Sequence, residues 1–219
     1  MASLRKAAQC IGLTGAFSVA HQFFGFWIGT PPGMVVSVGR QVKLLRGKHF
    51  HLNVIRTAAF TDAHRAQIDQ ALQISRDIYA ATNIGIGRVE HFRVPQGGYE
   101  IIMAEDVALE MWDSWSAPND GIDAFFCYYL NGEESGRSPE DGSCDKSDKE
   151  SGLVLGVLDN PITLGQALAH ELGHYLGLGH EDNLGGNLMF PSVPNGGTLY
   201  GGQIGAMKLH CSMRAGCPN

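Results

Sequence analysis

Between positions 170 and 180 the chain reads HELGHYLGLGH, which gathers three imidazoles and a carboxylate into one short segment. His170 and His174 are four residues apart. On a helix that spacing sets both rings on one face, one turn apart, where both reach a single tetrahedral ion. Glu171 follows about 100° further around the axis, which suits a carboxylate that activates solvent better than a third ligand. Gly177 supplies the exit: a glycine in left-handed conformation ends the helix and swings His180 back as the third ligand. Three neutral histidines leave one coordination position open, the arrangement of a catalytic rather than a structural zinc. At the chain's own His, Glu and Gly frequencies, the full H-E-x-x-H-x-x-G-x-x-H pattern arises by chance in roughly one such chain in ten thousand, so coincidence is set aside.

Such a site needs elements to hold it. Leu164, Ala167, Leu168, Leu172 and Leu176 form an apolar stripe at helical spacing under the histidines. A second amphipathic helix is predicted over 61–80 from Ile68, Ala71, Leu72, Ser75, Ile78 and Tyr79, capped by Thr61 or Asp62. Strands are predicted at 49–56, 84–94, 99–104, 121–130 and 152–159, with turn-prone PQGG between the second and third. One sheet with a few long helices follows from that order. The polar stretch 131–151 reads as a surface loop. Its carboxylates Glu140, Asp141, Asp145, Asp148 and Glu150 are either a solvated face or a calcium (Ca2+) site built from oxygen ligands.

The pattern resembles the zinc-binding consensus of the metzincin metallopeptidases, a family that requires a methionine turn downstream. NLMFP provides one, with Met189 nine positions beyond His180. Glu181 after the third histidine resembles the astacins, whereas LMFP is closer to the turn of the matrixins, and Pro191 stands where astacins carry a tyrosine. The resemblance implies an α+β zincin fold: a mixed, mostly parallel twisted sheet with an antiparallel edge strand, a backing helix, an active-site helix and a carboxy-terminal helix within 199–211. It implies zinc (Zn2+) on His170, His174 and His180, with Met189 as an apolar floor that is not a ligand. The implied activity is a zinc-dependent endopeptidase in which metal-activated water attacks a peptide bond and Glu171 acts as general base and then acid. A protein or peptide substrate would lie extended along an edge strand, for which GIDAFFCYYL (121–130) is the candidate, with PSVPNGGTLY (191–200) shaping the pocket. The alternatives are a catalytically silent zinc-binding module and a hydrolase of a non-protein amide.

Composition sets the frame. With 219 residues, 44% hydrophobic and 17% charged, the chain suits one main soluble domain. We assign it to 48–219, and it reads as a monomer. A net charge of −6 with only 16 basic residues excludes a nucleic-acid partner. Residues 1–47 read as a secretory signal peptide, a pro-segment or an added packing layer, and lack the uninterrupted apolar run of an integral membrane span. Cys211 with Cys217 and Cys127 with Cys144 are candidate local disulfides in a secreted protein, the alternative being buried thiols. Cys10 is a candidate for holding the zinc position in a latent form. Trp112 and Trp115 are expected in the core rather than on substrate.

Overall fold

A computed structural model of the chain describes residues 35–42, 45, 47–131, 135–157, 160–194 and 196–216. The sheet strands are β1 (Val36–Val42), β2 (Lys48–Arg56), β3 (Ile84–Arg93), β5 (Ile122–Cys127), β7 (Gly136–Arg137) and β8 (Gly152–Gly156). They lie in the order β1-β3-β2-β5-β8-β7. The four inner strands are parallel, and β1 and β7 run antiparallel at the two edges. A separate parallel pair is formed by β4 (Ile101–Ile102) and β6 (Tyr129–Leu130). Helices α1 (Asp62–Ala80), α2 (Glu105–Ser114), α3 (Pro161–Tyr175) and α4 (Gly201–Met207) complete the element order.

Every residue of β5 and β8 is buried, as expected of parallel strands covered on both faces. One face presents Leu52, Val54, Phe126 and Leu155 to the apolar stripes of α1 and α3. The other presents Ile55, Phe92, Phe125 and Val154 to Met111 and Trp112 of α2. Helices α1 and α3 interlock at Gly165, where an added Cβ would lie 2.7 Å from the Ile74 Cβ and 2.9 Å from the Ala71 carbonyl oxygen. Ser75 donates to the Gly165 carbonyl and Tyr79 to the Ala169 carbonyl, both at 2.8 Å. These bonds fix the rotation of α3, and so the direction of its histidines. Thr61 caps α1 by accepting from the His64 amide, as the sequence predicts.

Several expectations are corrected. The strand predicted at 99–104 shrinks to Ile101–Ile102, and α2 follows at once. The sequence reading overlooked α2, whose buried residues Ala108, Met111 and Trp112 do have helical spacing. The stretch 121–130 is not an edge: β5 is flanked by β2 and β8, and the chain breaks at Tyr128 before β6. The edge next to α3 is β7, too short and polar to stand out in sequence. The sheet also begins upstream of residue 48, with β1. Trp112 and Trp115 are buried, as expected. Among the described residues no helix is long and apolar enough to cross a membrane.

The cysteine pairing differs as well. Cys144 bonds Cys211, and Cys127 is a free thiol with no exposure. Its place near the end of β5 explains this, since the side chain enters the core against Phe125 and Val154 and its Sγ lies 3.3 Å from the Tyr129 carbonyl oxygen. Burial pushes this thiol up to about 12. Cys10 and Cys217 lie outside the described residues.

Candidate metal centre

Helix α3 starts where Asn160 accepts from the Ile162 amide at 2.9 Å and Pro161 occupies the first turn. It ends at Gly177, whose φ of +89° lies in the left-handed region as the sequence predicts. There the Gly177 amide donates to the His174 carbonyl at 2.8 Å and the Leu178 amide to the Gly173 carbonyl at 3.0 Å. The reversal brings His180 back over the helix end. The Nε2 atom of His174 lies 3.0 Å from that of His170 and 3.2 Å from that of His180.

Those separations can be tested against an ion. Two nitrogen ligands of a tetrahedral zinc, each at ~2.0–2.1 Å, stand about 3.3–3.4 Å apart. The observed spacing is close to that value. The protonation pattern agrees: Nδ1 of His170 is 2.7 Å from the Leu188 carbonyl oxygen, and Nδ1 of His174 is 2.7 Å from that of Leu178. A carbonyl only accepts, so both Nδ1 atoms carry hydrogen, and in the neutral rings both Nε2 lone pairs face inward. Lone pairs that converge at this distance repel unless a cation sits between them. Burial keeps the rings neutral, driving His170 down to about 4 against the raising effect of the Leu188 carbonyl, and lowering His174. The three residues therefore fit a zinc ion.

The Glu171 side chain is buried next to His170. Gly136 of β7 lies against it, since an added Cβ would meet Glu171 Cγ at 2.6 Å. Tyr79 is buried nearby, and its hydroxyl is pushed well above the usual range by burial and by the Glu171 charge. Met189 has no exposure and packs under α3, with its Sδ where a Cβ on Gly173 would come to 2.4 Å. Met189 thus lies against the helix that carries His170 and His174. The turn that carries it is organised by Asn187, a fully buried residue absent from the sequence reading. Its Oδ1 accepts from the Met189 amide at 2.8 Å and its Nδ2 donates to Gln203 of α4 at 2.9 Å. Only its position two residues before the methionine, in the turn-prone run GGN, hinted at this.

The acidic loop 139–150 does something the sequence did not suggest. The Asp141 amide donates to the His174 carbonyl and the Gly142 amide to the Tyr175 carbonyl, both at 2.9 Å, so the loop closes the end of α3. Asp145 and Asp148 accept hydrogen bonds from within the loop itself. His210 reaches the Gly142 carbonyl at 3.0 Å, and the Cys144–Cys211 disulfide pins the loop to the carboxy-terminal segment. Cys144, His210 and Cys211 also converge, but the two sulfurs are bonded to each other and offer no thiolates.

No family model matches the chain. Solved structures share its fold. The archaemetzincin of Methanopyrus kandleri aligns with a TM-score of 0.52 at 15% identity, over 73% of this chain and 94% of that one. Metalloproteinase-II of Bacteroides fragilis aligns with a TM-score of 0.51 at 16% identity, over 75% of this chain and 53% of that one. The chain has an archaemetzincin-like zincin fold. At such identities the likeness speaks for architecture alone, and chemistry must be argued from the side chains.

Proposed function

We propose that this chain is a zinc-dependent endopeptidase, with His170, His174 and His180 as metal ligands and Glu171 as general base and acid. The observation that carries the reading is the convergence of the three Nε2 atoms beside a buried carboxylate. A zinc ion held there supplies a Lewis acid and draws the pKa of a water towards neutrality. The protein's own part is orientation and proton movement. The Glu171 carboxylate accepts the proton of the attacking water and delivers it to the departing amine nitrogen. Gly136 limits where that carboxylate can swing.

The position of Gly136 also suggests how substrate arrives. Strand β7 is an edge of the sheet, and an extended peptide laid along it would gain main-chain hydrogen bonds within reach of Glu171. We extend the catalytic domain expected at 48–219 upstream to include β1. The Cys144–Cys211 bridge supports residence in an oxidising, extracytoplasmic compartment.

The test is metal analysis together with digestion of a mixed peptide library. The parent should hold one zinc per chain and cleave, and cleavage should vanish with a chelator. Glu171→Ala should keep the metal and lose cleavage, whereas His180→Ala should lose the metal. Cleavage retained by Glu171→Ala would overturn the assignment of the base. Full zinc occupancy without any peptide cleavage would favour the silent module or a non-protein amide.

A further inference from the structure

The Leu188–Met189 peptide unit lies between the histidine site and α4, and both of its poles are occupied. Its carbonyl oxygen accepts from Nδ1 of His170 at 2.7 Å. Its N–H donates to Oδ1 of Asn187 at 2.8 Å, the turn that an asparagine side chain makes with the backbone two residues on. A trans peptide is planar, so the bond that fixes the direction of the N–H also fixes that of the carbonyl on the opposite side. Donation by the N–H polarises the same unit, which strengthens the carbonyl's hold on the imidazole hydrogen.

Asn187 is itself held. Its Nδ2 donates to Gln203 Oε1 at 2.9 Å and its Oδ1 accepts from Gln203 Nε2 at 3.2 Å, so the two side-chain amides form a closed pair. Gln203 Oε1 also accepts from the Tyr200 amide at 3.0 Å, which ties the pair to the start of α4. Asn187 is fully buried, so no solvent replaces these bonds when one partner is removed. The next carbonyl along, that of Met189, accepts from the Glu181 amide at 2.8 Å, one residue beyond His180. A single turn thus reaches His170 directly and the His180 segment through the backbone. His174 stands apart, because its Nδ1 meets the Leu178 carbonyl of its own helix exit.

We propose that Asn187 and Gln203 are positioning residues of the metal centre, an amide pair through which α4 fixes the Leu188 carbonyl and so keeps the His170 hydrogen on Nδ1. The inference rests on the reading of His170 as a zinc ligand, since a ring held in this way turns its Nε2 lone pair towards the ion. Neither residue touches reacting atoms. Without the pair the peptide unit is free to rotate, and His170 can carry its hydrogen on Nε2, where the ring offers the metal nothing.

Two measurements test this, and neither is activity. In metal-free protein at pH 7.5, nitrogen-15 NMR of the histidine rings should place the His170 hydrogen on Nδ1 in the parent. Asn187→Ala and Gln203→Leu should show a mixture of tautomers at His170 and no change at His174. Chelator competition should show zinc binding about 10–100-fold weaker in both variants, the usual effect of removing a group that orients a ligand. Gln203→Glu keeps an acceptor for Asn187 Nδ2 and the Tyr200 amide, and should hold zinc nearly as the parent does. Gln203 is only half-buried, so its variants keep the test open if Asn187→Ala does not fold. An unchanged His170 tautomer in the variants would overturn the proposal. So would an equal change at His174, which would mark a general loosening of α3, and so would equal losses in Gln203→Glu and Gln203→Leu, which would leave packing as the cause. A parent that bound no zinc would refute the ligand reading alone, and the tautomer comparison would still decide the role of the pair.

Discussion

The decisive contacts at the residue scale are between groups far apart in sequence. Gly136 is the clearest case, because nothing in its neighbourhood announces a catalytic setting, yet its missing Cβ makes room for Glu171 Cγ. Gly136→Ala should therefore displace the carboxylate while leaving the three histidines alone. We expect peptide cleavage to fall at least tenfold with zinc content unchanged, a split that metal analysis alongside steady-state kinetics would reveal. Loss of both together would mean the glycine supports the ligand helix instead. The convergence of the three histidines was legible, since their spacing with one glycine defines one geometry on a helix and its exit. Asn187 was not. Its importance comes from a two-way hydrogen bond with Gln203, and pairing of that kind has no local periodicity.

Among the elements, α3 is held from both ends and from behind. Behind it, Gly165 lets α1 approach until Ala71 O lies where a methyl would go. Backbone cannot retreat as a flexible side chain can, so Gly165→Ala should cost roughly 1–3 kcal/mol, measurable by urea unfolding. At its carboxy end, α3 is closed by the loop that carries Cys144. The disulfide to Cys211 spans 67 residues of sequence, for which chain-entropy reasoning gives a stabilisation of about 4 kcal/mol. Replacing both cysteines by serine should remove it, and should weaken zinc binding in a chelator competition because the loop amides cap the turn after His174. A reductant should reproduce the loss in the parent. If zinc affinity did not change, the loop's grip on α3 would be immaterial to the site. The long helices and inner strands were readable from apolar spacing. The disulfide and β7 were not, because a loop's partner is set by how the whole chain closes.

For the molecule as a whole, the sheet face opposite α1 and α3 is divided. One half is the apolar cluster under α2, and the other is a buried polar layer that ties the carboxy-terminal segment to β2. The His49 and Arg214 backbones exchange two hydrogen bonds, and Arg214 meets Asp120, which also engages Arg88. Within this layer His51 accepts from the Arg88 amide at 3.1 Å and is only 1% exposed. Burial, then the Arg88 charge, lowers it from 6.5 to about 4, with Asp120 in partial opposition. The sign of its contribution follows from linkage. Between those two values the unfolded chain binds a proton that the folded chain refuses, so stability is full above about pH 6.5 and is lost as the pH falls towards 4. A gap of that size is worth roughly 3 kcal/mol. Asp120, lowered below the ordinary carboxylate range chiefly by Arg88 despite its burial, acts in the same direction but only at more acidic pH, so the two windows are separable. His170 and His174 titrate in the same sense, which makes the comparison with a variant essential. His51→Gln keeps an acceptor for the Arg88 amide and removes the titrating group. Urea unfolding at pH 7.5 and pH 4.5 should then show a smaller loss for the variant than for the parent. An identical loss in both proteins would show that the buried layer relaxes to admit the charge, and that the carboxy-terminal tether is looser than its hydrogen bonds imply.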